Sequence, residues 1–507
     1  MTPRRRYGAF FLINEGNTMI HTSPLSLANI PQDANRSPLV ILGAGLAGLA
    51  CACRLSDLGF KNIVLIEKES VVGGLATSIH YKGHTSDLGP HRIHTEVPAV
   101  HEFLQRWEGD LLITCRRRSR MFLRGKWIPY PPGLFNTFLQ LGPLPVIRYS
   151  VSYIGTKILY ARGSRIEETY ESLMEKAFGR ALYRAIIKPY TEKTWGMNAR
   201  ELSPDAARAR VSAGGFASLA RRLFLKEQKG EETSLTDFLY ISGGIGNLAL
   251  HLQKTLEQQG VRFLLQSEVT GLTWMGNDGG LVHFIKDKTP QTLRADFCFS
   301  TIPIPELIGF LQENHPDAEV RQAAGLLEYL SMLLVFVRMK KDRVSDDTWL
   351  YFPERGVLFN RGYESRNFDA SLGPDGESLL CLEITCRRGD KMWECPEEEI
   401  KTRVCREISR IGLVRQEEIL DAHLVRLTHA YPVYDLLYRR KLQTIWSYLT
   451  QYPRLMTLGR QGLFHHNNMD HSIYEGCIAG DYYATKKEAA SDWYRDEGQF
   501  RKLRIVD

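Results

Sequence analysis

Ser37-Pro38-Leu39-Val40-Ile41-Leu42-Gly43-Ala44-Gly45-Leu46-Ala47-Gly48-Leu49-Ala50-Cys51-Ala52-Cys53-Arg54-Leu55 is the stretch that decides the fold. An apolar run of strand length enters a G-x-G-x-x-G turn and leaves as a helix. A second apolar run, Ile63-Val64-Leu65-Ile66, ends on Glu67, roughly twenty positions after the first glycine. Gly43 permits a tight turn, and Gly45 lets backbone N–H groups of the Ala44, Leu46 and Ala47 region approach a pyrophosphate at the positive end of the helix. Gly48 lets the helix pack on the strand, and Glu67 can accept from ribose hydroxyls. The competing reading is a glycine-rich turn in an ordinary α/β protein, which leaves the strand, helix and acid together unexplained.

Lys68-Glu69-Ser70-Val71-Val72-Gly73-Gly74-Leu75 follows the acid at once. A glycine pair at this point resembles the two-dinucleotide-binding-domain flavoproteins: the amine oxidase, protoporphyrinogen oxidase and UDP-galactopyranose mutase superfamily. The resemblance implies FAD, with Lys68, Gly74 and Leu75 beside it. It implies an α/β class: a Rossmann-like FAD-binding fold with a discontinuous helical and antiparallel-sheet substrate domain. No histidine or cysteine stands in a recognised flavinylation context, so non-covalent FAD is expected.

The chain has 507 residues, enough for two or three domains. Its 65 basic and 58 acidic residues are interspersed, net +7, which gives no nucleic-acid footprint. The one dense basic cluster, Arg116-Arg117-Arg118 with Arg120 and Arg124, reads as a solvated strand edge or as an anion contact. Nine cysteines without a C-x-x-C or paired metal spacing predict free thiols, no metal site and a reducing, cytoplasmic setting. No long charge-free apolar stretch predicts a membrane span. Residues 1–36 read as a disordered leader, with Met19 as a candidate start.

The FAD-binding domain is expected to be discontinuous, over 37–100, 235–304 and 450–490. Residues 101–234 and 305–449 would form the substrate domain, and 491–507 a tail. Leu173, Ala177, Phe178, Leu182, Ala185 and Ile186 recur at helical spacing, predicting one or two amphipathic helices over 166–190. Leu134-Phe135, Phe138-Leu139, Leu141, Leu144, Val146-Ile147, Val151, Ile154 and Ile158-Leu159, with Arg148, Lys157 and Arg162 nearby, form an apolar stripe over 134–159. It reads as an inward face of the helical domain, the favoured reading, or as a peripheral membrane contact.

Four stretches carry the chemistry implied by the resemblance. Asp87-Leu88-Gly89-Pro90-His91-Arg92-Ile93-His94-Thr95 is similar to the mutase "GPHxxHT" segment, which places Gly89 and His91 against the flavin ring. Pro189-Tyr190-Thr191-Glu192-Lys193-Thr194-Trp195-Gly196 and Glu201-Leu202-Ser203-Pro204, ending at Arg208 and Arg210, is similar to the mutase "YT.K.WG….EL….ARI" signature. It implies that Trp195 and Arg210 meet substrate, although Trp195 reads equally as a core residue. Tyr431, in Ala430-Tyr431-Pro432, aligns with a tyrosine near flavin and substrate. Leu458-Gly459-Arg460, continuing to Met469-Asp470, implies a pyrophosphate contact at Gly459 and Arg460 and a flavin contact at the Met469-Asp470 backbone. Val269 would touch adenine through its backbone. His91, Arg210 and Tyr431 are the catalytic candidates.

The chain departs from the mutases after Arg210, where Gly214 stands in place of a second phosphate-binding arginine. Three functions therefore stand side by side. One is a flavoenzyme taking hydride from a CH–NH or CH–CH group of a small-molecule substrate. Another is a non-redox sugar-nucleotide mutase. The last is a flavin-binding partner protein without turnover.

Overall fold

The computed structural model describes residues 37–130, 142–161, 168–208, 237–311, 315–485 and 492–494. The expectations placed on the leader and Met19, on Leu134–Leu141, on Arg162, on Arg210 and on Val211–Gly214 fall outside the described residues.

Five short strands form a parallel sheet in the order Leu455–Thr457, Phe297–Ser300, Leu39–Leu42, Ile63–Ile66 and Arg262–Leu264. Leu39 pairs with Ile63 on one side and Phe297 on the other. The three central strands are buried along their whole length, as expected of a parallel sheet covered on both faces. The strands come from three distant stretches of chain. Asp87 joins the stretches from the side. Its carboxylate accepts from the Tyr240 hydroxyl at 2.7 Å, the Ser78 hydroxyl at 2.7 Å and the Ile245 N–H at 3.0 Å.

The first helix, Leu46–Asp57, is clamped from outside by the helix Met469–Thr485. Their approach is close enough that a Cβ on Gly476 would stand 2.3 Å from the Ala47 carbonyl oxygen. Arg54 and Asp481 close the same contact with an ion pair at 2.6 Å. The stretch read as a tail contributes to this body. Trp493 and Tyr494 are buried, with Trp493 Nε1 donating to the Thr457 carbonyl at 2.8 Å and the Tyr494 hydroxyl to Leu455 at 3.1 Å. Two aromatic rings that cover a sheet edge were not legible as core because they lie in an otherwise polar terminus.

The second sheet has seven strands, in the order Ile419–Pro432, Tyr329–Met339, Ser378–Cys386, Arg361–Glu364, Trp349–Tyr351, Ser119–Leu123 and Lys126–Pro129. It is antiparallel except where Trp349–Tyr351 runs parallel to Ser119–Leu123. Tyr329–Met339 is buried on both faces, because the helix Glu397–Arg410 lays Ile400, Val404 and Ile408 over the side away from the main core. The Arg116–Arg120 cluster runs from the strand Leu112–Arg116, which pairs with Asp237–Ile241, into the strand Ser119–Leu123 of this sheet. Arg120 pairs with Asp347 and Arg118 with Asp346 at 3.2 Å, while Arg92 and Arg117 lie over the Trp349 ring.

The amphipathic segment after residue 166 is broken more than its periodicity predicts. Tyr170–Phe178 opens on a capping box in which Thr169 Oγ1 accepts from the Ser172 N–H at 3.2 Å, while Ser172 Oγ accepts from the Thr169 N–H at 2.9 Å. The chain turns at Gly179, whose φ is +77°, passes through a π-helical turn at Tyr183–Ile187 and continues as Lys188–Trp195.

The helix Pro143–Ala161 overturns the favoured reading of its apolar stripe. Leu144, Ile147, Val151, Ile154 and Ile158 are between 49% and 78% exposed. The inward side carries Tyr149, Ser152 and Thr156 instead. The physical reason is capping. Ser152 Oγ accepts from the Ala181 N–H at 2.9 Å and Thr156 Oγ1 from the Arg180 N–H at 3.2 Å. The hydroxyls satisfy orphan donors of the helix that begins after Gly179, so the aliphatic side faces out. No helix among the described residues is long and apolar enough to cross a membrane.

Gly476→Ala is expected to lower the melting temperature of the flavin-loaded protein, by ~1–3 kcal/mol of stability, since the added methyl must push two helices apart. Thermal unfolding followed by circular dichroism checks it; an unchanged melting point would mean that the helix pair yields freely.

Candidate active site

Two glycine turns meet at the carboxyl end of the parallel sheet. The Gly73 N–H donates to the Ala44 carbonyl at 2.8 Å, and Gly45 and Gly73 form an isolated bridge. Glu67 is buried beside them. Its Oε2 accepts from the Ala44 N–H at 2.8 Å and its Oε1 from the Glu69 N–H at 3.0 Å. Each carboxylate oxygen retains a further lone pair for a ribose hydroxyl. Lys68, Gly74 and Leu75 line the outer side of this turn, with Lys68 and Gly74 exposed. Val269 sits at a bulge in the strand Ser267–Trp274, where the Ser267 N–H donates to the Glu67 carbonyl at 2.9 Å. The adenine-side candidates are therefore neighbours.

Gly45 and Gly48 do different work. A Cβ on Gly48 would lie 2.2 Å from the Gly43 carbonyl oxygen, so the protein itself forbids it. A Cβ on Gly45 would meet only Gly73 and Gly74 at 3.9 Å, an ordinary contact. Gly45 has φ −70°, which any residue adopts. The space above Gly45 is a cradle that the protein does not fill, as a backbone-bound pyrophosphate requires.

A second group of side chains gathers from six other stretches. Arg361, on the strand Arg361–Glu364, donates from Nε to Glu383 Oε2 at 2.8 Å and from Nη2 to the Tyr431 hydroxyl at 3.4 Å. Arg460 lies over the Tyr431 ring, 5.2 Å from its centroid. The Tyr431 ring lies 5.1 Å from His466, and Trp195 meets His466 edge-on at 5.7 Å. His91 faces both guanidinium groups. Burial pushes its pKa down to about 3, with Arg460 and Arg361 adding to the effect and the Gly89 backbone opposing it. The imidazole is therefore neutral, and its buried Nδ1 has no hydrogen-bond partner.

Two expectations are revised here. Trp195 is 1% exposed and backs His466 as a core residue, so it offers no surface to a substrate. Arg460 is committed to protein. It donates from Nε to Asn467 Oδ1 at 3.2 Å, from Nη1 to the Ala430 carbonyl at 3.1 Å and from Nη2 to the Asn467 carbonyl. It pins the loop ahead of the helix Met469–Thr485 instead of reaching freely for a pyrophosphate. That loop is held again by Glu475, which accepts from Asn467 Nδ2 at 3.1 Å. Met469 and Asp470 are buried at the helix start, and Gly459 opens the short helix Gly459–Gly462 that carries Arg460. Gly89 lies over Glu383, whose Oε1 would be 3.6 Å from a Cβ on that glycine.

Arg361 and Glu383 escaped sequence reading because each sits in a strand with no motif around it, and His466 because it stands at a position of the Leu458–Asp470 stretch to which the motif assigns no role. Lys193 carries a motif position, and its role is structural. Burial pulls its pKa down to about 7. Yet Nζ reaches the carbonyls of Phe352 at 2.7 Å, Glu354 at 3.0 Å and Phe359 at 2.6 Å. Three acceptors occupy the three protons of an ammonium, so the lysine is charged and ties the Trp195 helix to the sheet.

The model of the flavin containing amine oxidoreductase family matches residues 46–490. The chain belongs to that family. Its cofactor is FAD, which the glycine cradle, the buried Glu67 and the unfilled space above Gly45 fit. The phytoene desaturase (neurosporene-forming) of Cereibacter sphaeroides is 45% identical over 324 residues, 57% of this chain and 58% of that protein. A protein of Klebsiella pneumoniae named "Probable UDP-galactopyranose mutase" is 26% identical over 176 residues, 33% of this chain and 43% of its own. This chain thus spans about half the length of the curated relatives it matches. A crystal structure of reduced UDP-galactopyranose mutase shares the fold, with TM-score 0.76 at 21% identity over 93% of this chain and 98% of that one.

Gly45→Val should separate folding from cofactor binding. The variant is expected to keep the circular dichroism spectrum of the flavin-free wild type and to purify colourless, because the side chain occupies pyrophosphate space only. Gly48→Val should instead fail to fold. His91 adds a pH dependence. Its folded pKa lies below its unfolded one, so its contribution is complete above about pH 6.5 and is lost as pH falls toward 3. Relative to His91→Gln, the wild type should lose up to ~1 kcal/mol per pH unit in that window. Parallel acid-unfolding slopes for the two proteins would show that His91 titrates normally.

Proposed function

We propose that this protein is an FAD-dependent oxidoreductase that removes hydride from a CH–CH or CH–NH group of an organic substrate, with non-covalently held FAD. The observation that carries the reading is membership of a flavin oxidoreductase family together with a 45% identical desaturase relative. That relative favours C–C desaturation over amine oxidation. Bound FAD would supply the hydride acceptor. The chain's own part is orientation and charge. Glu67 and the two glycine turns hold the cofactor end. The Gly89–His91 turn, Arg361 and Tyr431 form the floor where a substrate would lie. A neutral His91 adds no charge to a place that already holds two guanidinium groups. Arg361 keeps its charge balanced by Glu383 and presents the Tyr431 hydroxyl in a fixed direction. Arg210, as a catalytic residue, remains part of this proposal through the motif that carries it.

A mutase reading is supported by the Klebsiella relative and by the Arg361–Tyr431 pair, which could take a sugar-nucleotide phosphate.

The two readings part in an anaerobic cuvette. With oxidised protein, a polyene precursor or an amine should bleach the flavin with a first-order phase, and UDP-galactopyranose should not. Bleaching by none of these, with interconversion of UDP-galactose ring forms by the reduced protein, would replace the oxidoreductase reading with the mutase. Heating in denaturant should release all flavin to the filtrate; colour retained on the chain would contradict non-covalent binding.

A further inference from the structure

The outward face of the helix Pro143–Ala161 has no counterpart in the site described above. A surface helix ordinarily turns its apolar side to the core; this one does the reverse. Leu144, Ile147, Val151, Ile154 and Ile158 repeat at three- and four-residue steps and are all exposed. The orientation is fixed by the Ser152 and Thr156 caps on the neighbouring helix, so the face cannot roll inward without exposing two orphan N–H donors.

A groove of about 670 Å³ runs beside this face, between it and the residues after Gly179. Its apolar lip is Leu144, Ile147 and Val151, and its cations are Arg148, Arg180 and Arg184. Arg148 makes no ion pair among the described residues. Arg180 and Arg184 share one carboxylate, Glu175, at 2.9 and 3.5 Å. The helix itself carries Arg148 and Lys157 and no acidic residue. Three guanidinium groups against one carboxylate leave the groove with a positive excess, set at the edge of an aliphatic stripe.

We propose that this face rests on an anionic phospholipid surface, with the aliphatic side chains at the acyl boundary and the arginines on lipid phosphates. Two features select a bilayer over a second copy of the chain. A strip about 22 Å long by the rise of fifteen residues and one helix wide falls well short of the roughly 800 Å² that each partner contributes to a standard stable interface. A second copy would also bring like charges together at Arg148, Arg180 and Arg184, whereas lipid phosphates neutralise them. Apolar area next to basic side chains is what interfacial helices present to anionic lipid.

The test uses the full-length, flavin-loaded protein and vesicles of phosphatidylcholine with 30% phosphatidylglycerol, about one-third anionic as a membrane surface demands. The protein should co-float with these vesicles at low salt, and about tenfold less with pure phosphatidylcholine or at high salt. Val151→Asp with Ile154→Asp, and separately Arg148→Glu with Arg184→Glu, should each reduce co-flotation by about tenfold or more while flavin content and melting temperature stay as in the wild type. Val151→Trp supplies a readout that does not rely on loss: its fluorescence should be quenched by brominated acyl chains. No co-flotation of the wild type, equal binding by the variants, or an unquenched tryptophan would overturn the proposal. So would a concentration-dependent dimer that the Asp variants dissociate, which would assign the face to a second copy.

Discussion

Contact between two glycine turns, backbone against backbone, is the constraint on which the rest of the molecule depends. Ala44 and Gly45 meet Gly73 and Gly74 with no side chain between them. Glu67 fixes the geometry by accepting from the amides of Ala44 and Glu69 at once. A Cβ on Gly73 would stand 2.8 Å from the Ala76 carbonyl oxygen, so the turn that follows Ile63–Ile66 closes only with glycine there. The Asp87 carboxylate then fastens the Ser78 hairpin and the Tyr240–Ile245 turn to the same end of the sheet. Burial raises its pKa to about 6 despite these three donors, so the network is arranged around a carboxylate that the fold desolvates.

The cradle was legible because it is local. Strand, turn, helix, strand and acid occupy some thirty consecutive residues, and each glycine there has a steric reason that sequence alone exposes. The strands Gly280–Lys286, Tyr329–Met339 and Ser378–Cys386 were legible for a similar reason: runs of β-branched and aromatic residues between turn signals. The side-chain group around Tyr431 was legible only where a motif marked it. His91 and Tyr431 stand in such motifs. Arg361 and Glu383 pair across neighbouring strands in a register set by the whole sheet, which no window of sequence contains. Trp195 shows the opposite error. A motif tryptophan is as readily a wall as a lining, and burial decides which.

The helix Pro143–Ala161 gives the sharper lesson on periodicity. Three- and four-residue spacing reveals that an aliphatic face exists, and it does not say which way the face points. Direction is set by the polar side. Ser152 and Thr156 are the better hydrogen-bond partners for a helix that begins at a left-handed glycine, so they turn inward and the aliphatic face turns out.

The cradle and the side-chain group around Tyr431 are built from different contacts, and that separation explains how one family holds unlike chemistries. The cradle consists of backbone and one carboxylate, with almost no freedom to vary. The side-chain group consists of single residues on strand faces and a loop: Arg361, Tyr431, His466 and the Gly89–His91 turn. Each could be exchanged without moving a backbone amide of the cradle. The reacting chemistry resides in the cofactor, and the chain decides which bond is brought to it and in what electrostatic setting. In this chain the setting is a phenol beside two guanidinium groups, faced by an imidazole that burial keeps neutral.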